Sequence, residues 1–60
     1  MYRIFMTNFD YWREEEFESL GTALAFGKSK GFDFSVHDDR GLVAYWSFFG
    51  GVRHYREKAL

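Results

Sequence analysis

The sequence predicts an α+β fold: a four-stranded, mostly antiparallel sheet in the order β-β-α-β-β, with one helix packed on one face. Three observations carry that expectation. Residues 32–38 and 42–48 each alternate large apolar with smaller or polar side chains, and a glycine turn separates them. Leu20, Ala23, Leu24 and Gly27 form one apolar helical stripe behind Ser19, a residue type that caps helices. The chain also opens on a β-favouring run.

In chain order, residues 2–7 read as a strand and Asn8-Phe9-Asp10 as a turn. Residues 11–18 have two readings. As a strand they place Tyr11, Arg13, Glu15 and Phe17 on one face. As the start of a helix they use three consecutive Glu near its N-terminus, and the fold becomes β-α-β-β. Ser19 favours the strand, because it sets a helix at Leu20–Lys30, with Lys28 and Lys30 in the last turn and Gly31 just beyond. Asp38-Asp39-Arg40-Gly41 reads as a type I turn closed by a glycine bulge. That turn sets Asp38 opposite Leu42, Val36 opposite Ala44, Phe34 opposite Trp46 and Phe32 opposite Phe48, so the large apolar groups share a face. His37, Ser35 and Asp33 share the other face with Val43, Tyr45 and Ser47. Gly50-Gly51 then ends the sheet. The expected organisation is a single domain at residues 2–49 and a basic C-terminal tail at residues 50–60.

Composition limits what such a chain can do. Sixty residues make one domain, with little room for a catalytic pocket beside a core. The absence of cysteine rules out disulfides and thiolate chemistry. A net charge of −1 exerts no overall pull on nucleic acid or anionic membrane. Eight Phe, four Tyr and two Trp, 23% of the chain, must supply the burial that small domains otherwise take from staples. A buried Phe contributes roughly 1.5–3 kcal/mol, so either the monomer is marginal or a partner or second copy covers part of the aromatic surface. The longest uncharged apolar-rich run, residues 41–52, is too short to span a bilayer, and residues 1–4 lack a signal-peptide pattern. The expectation is a cytoplasmic protein with no membrane partner.

Several stretches together resemble a known group. They are Met6-Thr7-Asn8-Phe9, Phe17-Glu18-Ser19-Leu20, residues 25–36 (Ala-Phe-Gly-Lys-Ser-Lys-Gly-Phe-Asp-Phe-Ser-Val), and Leu42-Val43-Ala44-Tyr45-Trp46-Ser47 followed by Gly50-Gly51-Val52-Arg53. The pattern is similar to a loose group of very short bacterial and phage proteins, in which a strand leads through a Ser-capped helix to a hairpin ending near Trp-Ser and Gly-Gly. The resemblance covers most of residues 2–53 and implies a fold and a bacterial or phage genomic neighbourhood. It implies no chemistry, and it extends neither to the Glu run nor to the tail.

The residues that could carry chemistry are few. His37, with Asp33, Asp38 or Asp39, could serve a metal or act as a base. Ser35, His37 and Asp33 spell a hydrolytic triad, but neighbouring side chains of one strand are not expected to converge on a reacting atom. Gly50-Gly51 could form an anion nest, or simply a bend. No enzyme, cofactor or metal is therefore expected.

Charge is less even than its total. Asp10, Glu14, Glu15, Glu16 and Glu18 face only Arg13 between residues 10 and 18, whereas Arg53, Arg56 and Lys58 face only Glu57 between residues 50 and 60. The expectation is a non-enzymatic protein-binding module, a small inhibitor of a host or defence protein. Trp12, Glu14, Glu15, Glu16 and Glu18 would meet a basic site on a protein partner, and homodimerisation is a further option. The alternative is a single-stranded nucleic-acid binder that uses Phe5, Tyr45, Arg53, Arg56 and Lys58. It ranks second because the Glu run and Asp33 oppose the basic field that such a surface needs.

Overall fold

The computed structural model describes residues 1–55. Among them are five strands and a helix: β1 (Tyr2–Met6), β2 (Tyr11–Phe17), α1 (Leu20–Lys30), β3 (Phe34–Asp38), β4 (Gly41–Ser47) and β5 (Gly51–His54). The strands lie in the order β2-β1-β3-β4-β5, and every neighbouring pair is antiparallel. The α+β class and the single helix agree with the sequence, and residues 11–17 form a strand.

The strand count does not agree. β5 begins at Gly51, inside the segment read as a tail, and returns along β4 with Val52 opposite Trp46 and Arg53 opposite Tyr45. Gly50-Gly51 is a hairpin turn rather than the end of the sheet. The Gly50 N–H donates to Ser47 Oγ at 2.8 Å, and Gly51 supplies a φ of 78°.

Local chemistry fixes the other boundaries. The amides of Phe9 and Asp10 both donate to the Met6 carbonyl, closing the β1–β2 turn. In the β1–β2 ladder Arg3 opposes Glu16 and Phe5 opposes Trp12, so residues 13–15 all fall opposite Ile4. Two extra residues leave the faces unchanged, because side chains alternate with period two. Ser19 caps α1 by accepting the Thr22 N–H at 3.1 Å. Gly31, at φ 81°, ends the helix by donating its N–H to the Lys28 carbonyl.

The helix rests on the sheet through Ala23 and Gly27, both buried. Ile4, Met6, Ala23, Phe34 and Val36 form the central cluster, with Tyr2, Phe17, Leu20, Leu24, Phe26 and Trp46 packed around it. Gly27 is the point of closest approach: a Cβ built there would overlap the Phe34 ring. Phe34 in turn stacks on Trp46, its cross-strand partner, with centroids 5.5 Å apart. This is the pairing that the hairpin register predicts, with Phe34 fully buried and Trp46 half-buried.

The ends of that hairpin differ from the expectation. Phe32 and Phe48 do not pair over the core, because β3 starts at Phe34, with Phe32 about half exposed and Phe48 more so. Instead the Asp33 carboxylate accepts the Phe48 N–H at 2.9 Å and the Tyr45 hydroxyl at 3.3 Å, closing the ladder with a side chain. At the turn Asp38 pairs with Gly41 rather than Leu42, and its carboxylate accepts the Arg40 N–H. His37 then opposes Leu42, one extra residue is absorbed near Val43, and the expected register resumes at Val36 opposite Ala44. Among the described residues no helix is long and apolar enough to cross a membrane.

Replacing Gly27 with Ala is expected to destabilise the fold by about 1–3 kcal/mol through overpacking on Phe34, although Ala is favoured over Gly in a helix by about 1 kcal/mol. Denaturant titration should show the loss, and the loss should shrink when Phe34 is also changed to Leu. A Gly27→Ala variant at least as stable as the parent would refute the close contact.

Candidate functional site

An antiparallel sheet sends its connections to alternate ends, and here the two ends differ in kind. At one end lie the β1–β2 turn (residues 7–10), the α1–β3 loop (residues 31–33) and the β4–β5 turn (residues 48–50). They carry Phe9, Phe32, Phe48 and Phe49, all exposed, with Phe49 at 97% relative exposure. At the other end lie Glu18 and the Asp39-Arg40 turn, with Glu16 and Asp38 at the adjoining strand ends.

The aromatic end is built from the core outward. Rings run in contact from buried Phe34 to Trp46, then to Phe48 at 6.3 Å, then to Phe49 at 5.3 Å. The Asp33–Phe48 and Ser47–Gly50 hydrogen bonds hold the turn that presents the last two rings. Across the same end Phe9 and Phe32 meet edge to face at 4.9 Å. Beside them Met6, Phe9, Tyr11, Arg13, Lys30 and Phe32 line an open cleft of about 310 Å³. Arg13 forks onto Glu15 with bonds of 3.0 and 2.7 Å and donates to the Tyr11 hydroxyl at 3.3 Å. The hydrogen bonds from Arg13 hold the Glu15 carboxyl below the usual carboxylate range, and the same bonds raise the guanidinium's hold on its proton. Arg13 and Lys30 both sit on the Phe26 ring, 5.2 and 4.7 Å from its centroid.

The sheet face away from the helix carries a second group. Register aligns Trp12, Phe5, Ser35, Tyr45 and Arg53 in one row across all five strands. Trp12 meets Phe5 and His37 edge to face, and the Arg3 guanidinium lies 5.4 Å from its centroid. Met1, Arg3, Trp12, Glu16, His37, Asp38 and Asp39 line a cleft of about 400 Å³ there.

Ser35 Oγ lies 2.8 Å from His37 Nε2, so these two side chains do meet, contrary to the expectation for neighbours along one strand. Side chains two residues apart can lean together along a pleated face. Ser35 is buried, however, and Asp33 is engaged by Phe48 and Tyr45, so the three residues do not form a relay.

The residues singled out from the sequence divide between surfaces. Trp12, Glu14 and Glu16 share the outer face by strand alternation, and all three are exposed. Glu15 points to the helix side, paired with Arg13, and Glu18 is exposed between β2 and α1. Phe5, Tyr45 and Arg53 come together in the outer row, whereas Arg56 and Lys58 lie outside the described residues. Asp38 and Asp39 join the acidic group from a distant part of the chain, which no local pattern announces. The aromatic end was missed because Phe32 and Phe48 continue the apolar alternation. The signal for it was Phe-Phe-Gly-Gly, two large rings placed inside a glycine turn.

Among the described residues no group of three or more His, Asp or Glu is placed to hold a metal ion. The chain matches no family model, no curated protein and no solved structure with which it was compared.

His37 is a pH-sensitive group on the outer face. Burial pushes its pKa below the ordinary value of about 6.5, against a smaller opposing pull from Asp38. A depressed histidine pKa means that the fold prefers the neutral ring. The stability it contributes is present above the ordinary value and is lost as pH falls through the lower one. Denaturation midpoints should therefore fall as pH drops below the ordinary histidine value of about 6.5, and fall less steeply in His37→Gln. Equal slopes would contradict the assignment.

Proposed function

We propose that this protein is a non-enzymatic protein-binding module that docks through its aromatic end. The observation that carries the reading is Phe49, almost fully exposed on a hydrogen-bonded turn and continuous with Phe48, Trp46 and the core. A ring carried on a hydrogen-bonded turn needs little backbone ordering on binding, and large rings that become enclosed at an interface are what hot spots consist of. Small size, aromatic load, uneven charge and the resemblance to short bacterial and phage proteins together fit a phage-encoded inhibitor that occludes a host or defence protein. The outer-face group of Trp12, Glu14 and Glu16 would then act as a charged flank that steers encounter with a basic partner site.

A hot-spot aromatic contributes at least about 2 kcal/mol, so Phe49→Ser should reduce retention of the partner more than tenfold. The fold should be unchanged, because the ring buries almost nothing. The measurement is quantitative capture by a tagged full chain, with hydrogen-exchange footprinting of the captured complex. Protection should fall on Phe9, Phe32, Phe48 and Phe49. If Phe49→Ser binds like the parent while Trp12→Ala or the variant with Gln at residues 14, 15, 16 and 18 does not, docking belongs to the acidic outer face instead.

A second reading has one specific observation in its favour, the row Trp12–Phe5–Ser35–Tyr45–Arg53. It would offer stacking rings and a cation to a single strand of nucleic acid laid across the sheet. In that case oligonucleotide affinity should fall steeply with added salt, and Tyr45→Ala and Arg53→Ala should each weaken it. Weak or absent binding at physiological salt would remove this reading.

A further inference from the structure

We infer that the cleft beside Phe9 and Phe32 receives an acidic, apolar segment of a protein partner: an extended stretch in which a large apolar side chain is flanked by carboxylates. The inference rests on the docking reading and names the chemistry that the aromatic end selects.

The shape of the cleft comes first. Met6, buried at the end of β1, forms its floor, while Phe9 and Phe32, edge to face, and Tyr11 form its walls. Phe9, Tyr11 and Phe32 stay about half exposed, so they offer contact area that the fold itself does not use. An aromatic or branched aliphatic side chain fits such a site, and a polar one would leave its groups unpaired.

Charge then decides what flanks that side chain. The rim is Arg13 and Lys30, and Lys28 is exposed in the same last helical turn. Arg13 uses three N–H donors on Glu15 and Tyr11 among the described residues, and a guanidinium has five. Lys30 brings three donors on a flexible stem that rests against Phe26. Glu15 already compensates Arg13 and Asp10 adjoins Phe9 and Tyr11, so the surplus positive charge at the rim is that of Lys28 and Lys30, while Glu16, Glu18, Asp38 and Asp39 stand at the opposite end of the sheet. A segment bearing lysines would bring like charges together at this rim, whereas carboxylates would find donors there.

The test uses the full chain and two labelled peptides, one alternating Glu with Leu and Phe, the other identical but with Lys in place of Glu. Fluorescence anisotropy measures affinity, and backbone amide shifts report the site. The Glu peptide should bind at least tenfold more tightly than the Lys peptide and shift residues 6, 9, 11, 30 and 32. Lys30→Glu, checked for folding by circular dichroism, should reverse the preference. A structural role for Lys30 would not produce that reversal.

Equal binding of the two peptides, no binding of the Glu peptide to folded protein, or indifference to Lys30→Glu overturns the inference. So does a concentration-dependent dimer that Lys30→Glu dissolves, which would give the cleft to a second copy. Equal competition by decanoate would give it to a free fatty acid. If the peptides fail while capture still depends on Phe49, only the chemistry of the cleft is wrong. If capture is also indifferent to Phe49, the docking reading falls as well.

Discussion

The contact between the backbone of Gly27 and the ring of Phe34 sets the depth at which the helix lies on the sheet. A side chain at residue 27 would lift α1 away, and the small core would lose the seal over Ile4, Met6 and Val36. With so few buried residues a single displaced helix is a large fraction of the stability. The same contact holds Phe34 flat against Trp46, and from Trp46 the rings continue to Phe48 and Phe49. The most exposed aromatic side chain among the described residues is therefore connected, through three ring contacts, to the place where helix and sheet meet at Gly27.

What the sequence disclosed followed how local the governing chemistry was. The bounds of α1 were legible because Ser19, the two terminal lysines and Gly31 act within a turn of the residues they cap. The β3–β4 register was legible from alternation alone between Phe34 and Trp46, and even a misplaced bulge near Val43 left those partners correct. β5 was not legible, because Val52-Arg53-His54 is too short to show a period and Gly-Gly fits an exit from the sheet as well as a reversal. The candidate surface was half legible. Alternation placed Trp12 with Glu14 and Glu16, but Phe32 and Phe48 looked like core because an apolar residue in sequence carries no mark of which side water lies on. The Asp33 carboxylate takes the Phe48 amide where a further ladder bond would form, and the ladder ends before those rings.

The sheet also constrains where association can occur. Both of its edges are poor templates for further strand pairing. β2 is charged along most of its length and is distorted opposite Ile4, while β5 has only four residues. Charged, bulged and short edges are the devices by which sheets avoid adding strands. The outer face is partly spent on contacts among its own rings, with Trp12 held by Phe5, His37 and Arg3. The loop end presents four exposed phenylalanines that neither edge pairing nor the outer-face contacts engage.

The placement of the two tryptophans gives the molecule a pair of built-in optical reporters. Trp46 sits within the ring chain between the core and the Phe48-Phe49 turn, shielded on one side by Phe34. Trp12 stands half exposed on the opposite face of the sheet, against an imidazole and a guanidinium. Their surroundings differ in polarity and in nearby quenching groups, so their emission separates by colour and lifetime. Occupation of either surface is thus expected to perturb the nearer indole more than the other, without a label attached to either.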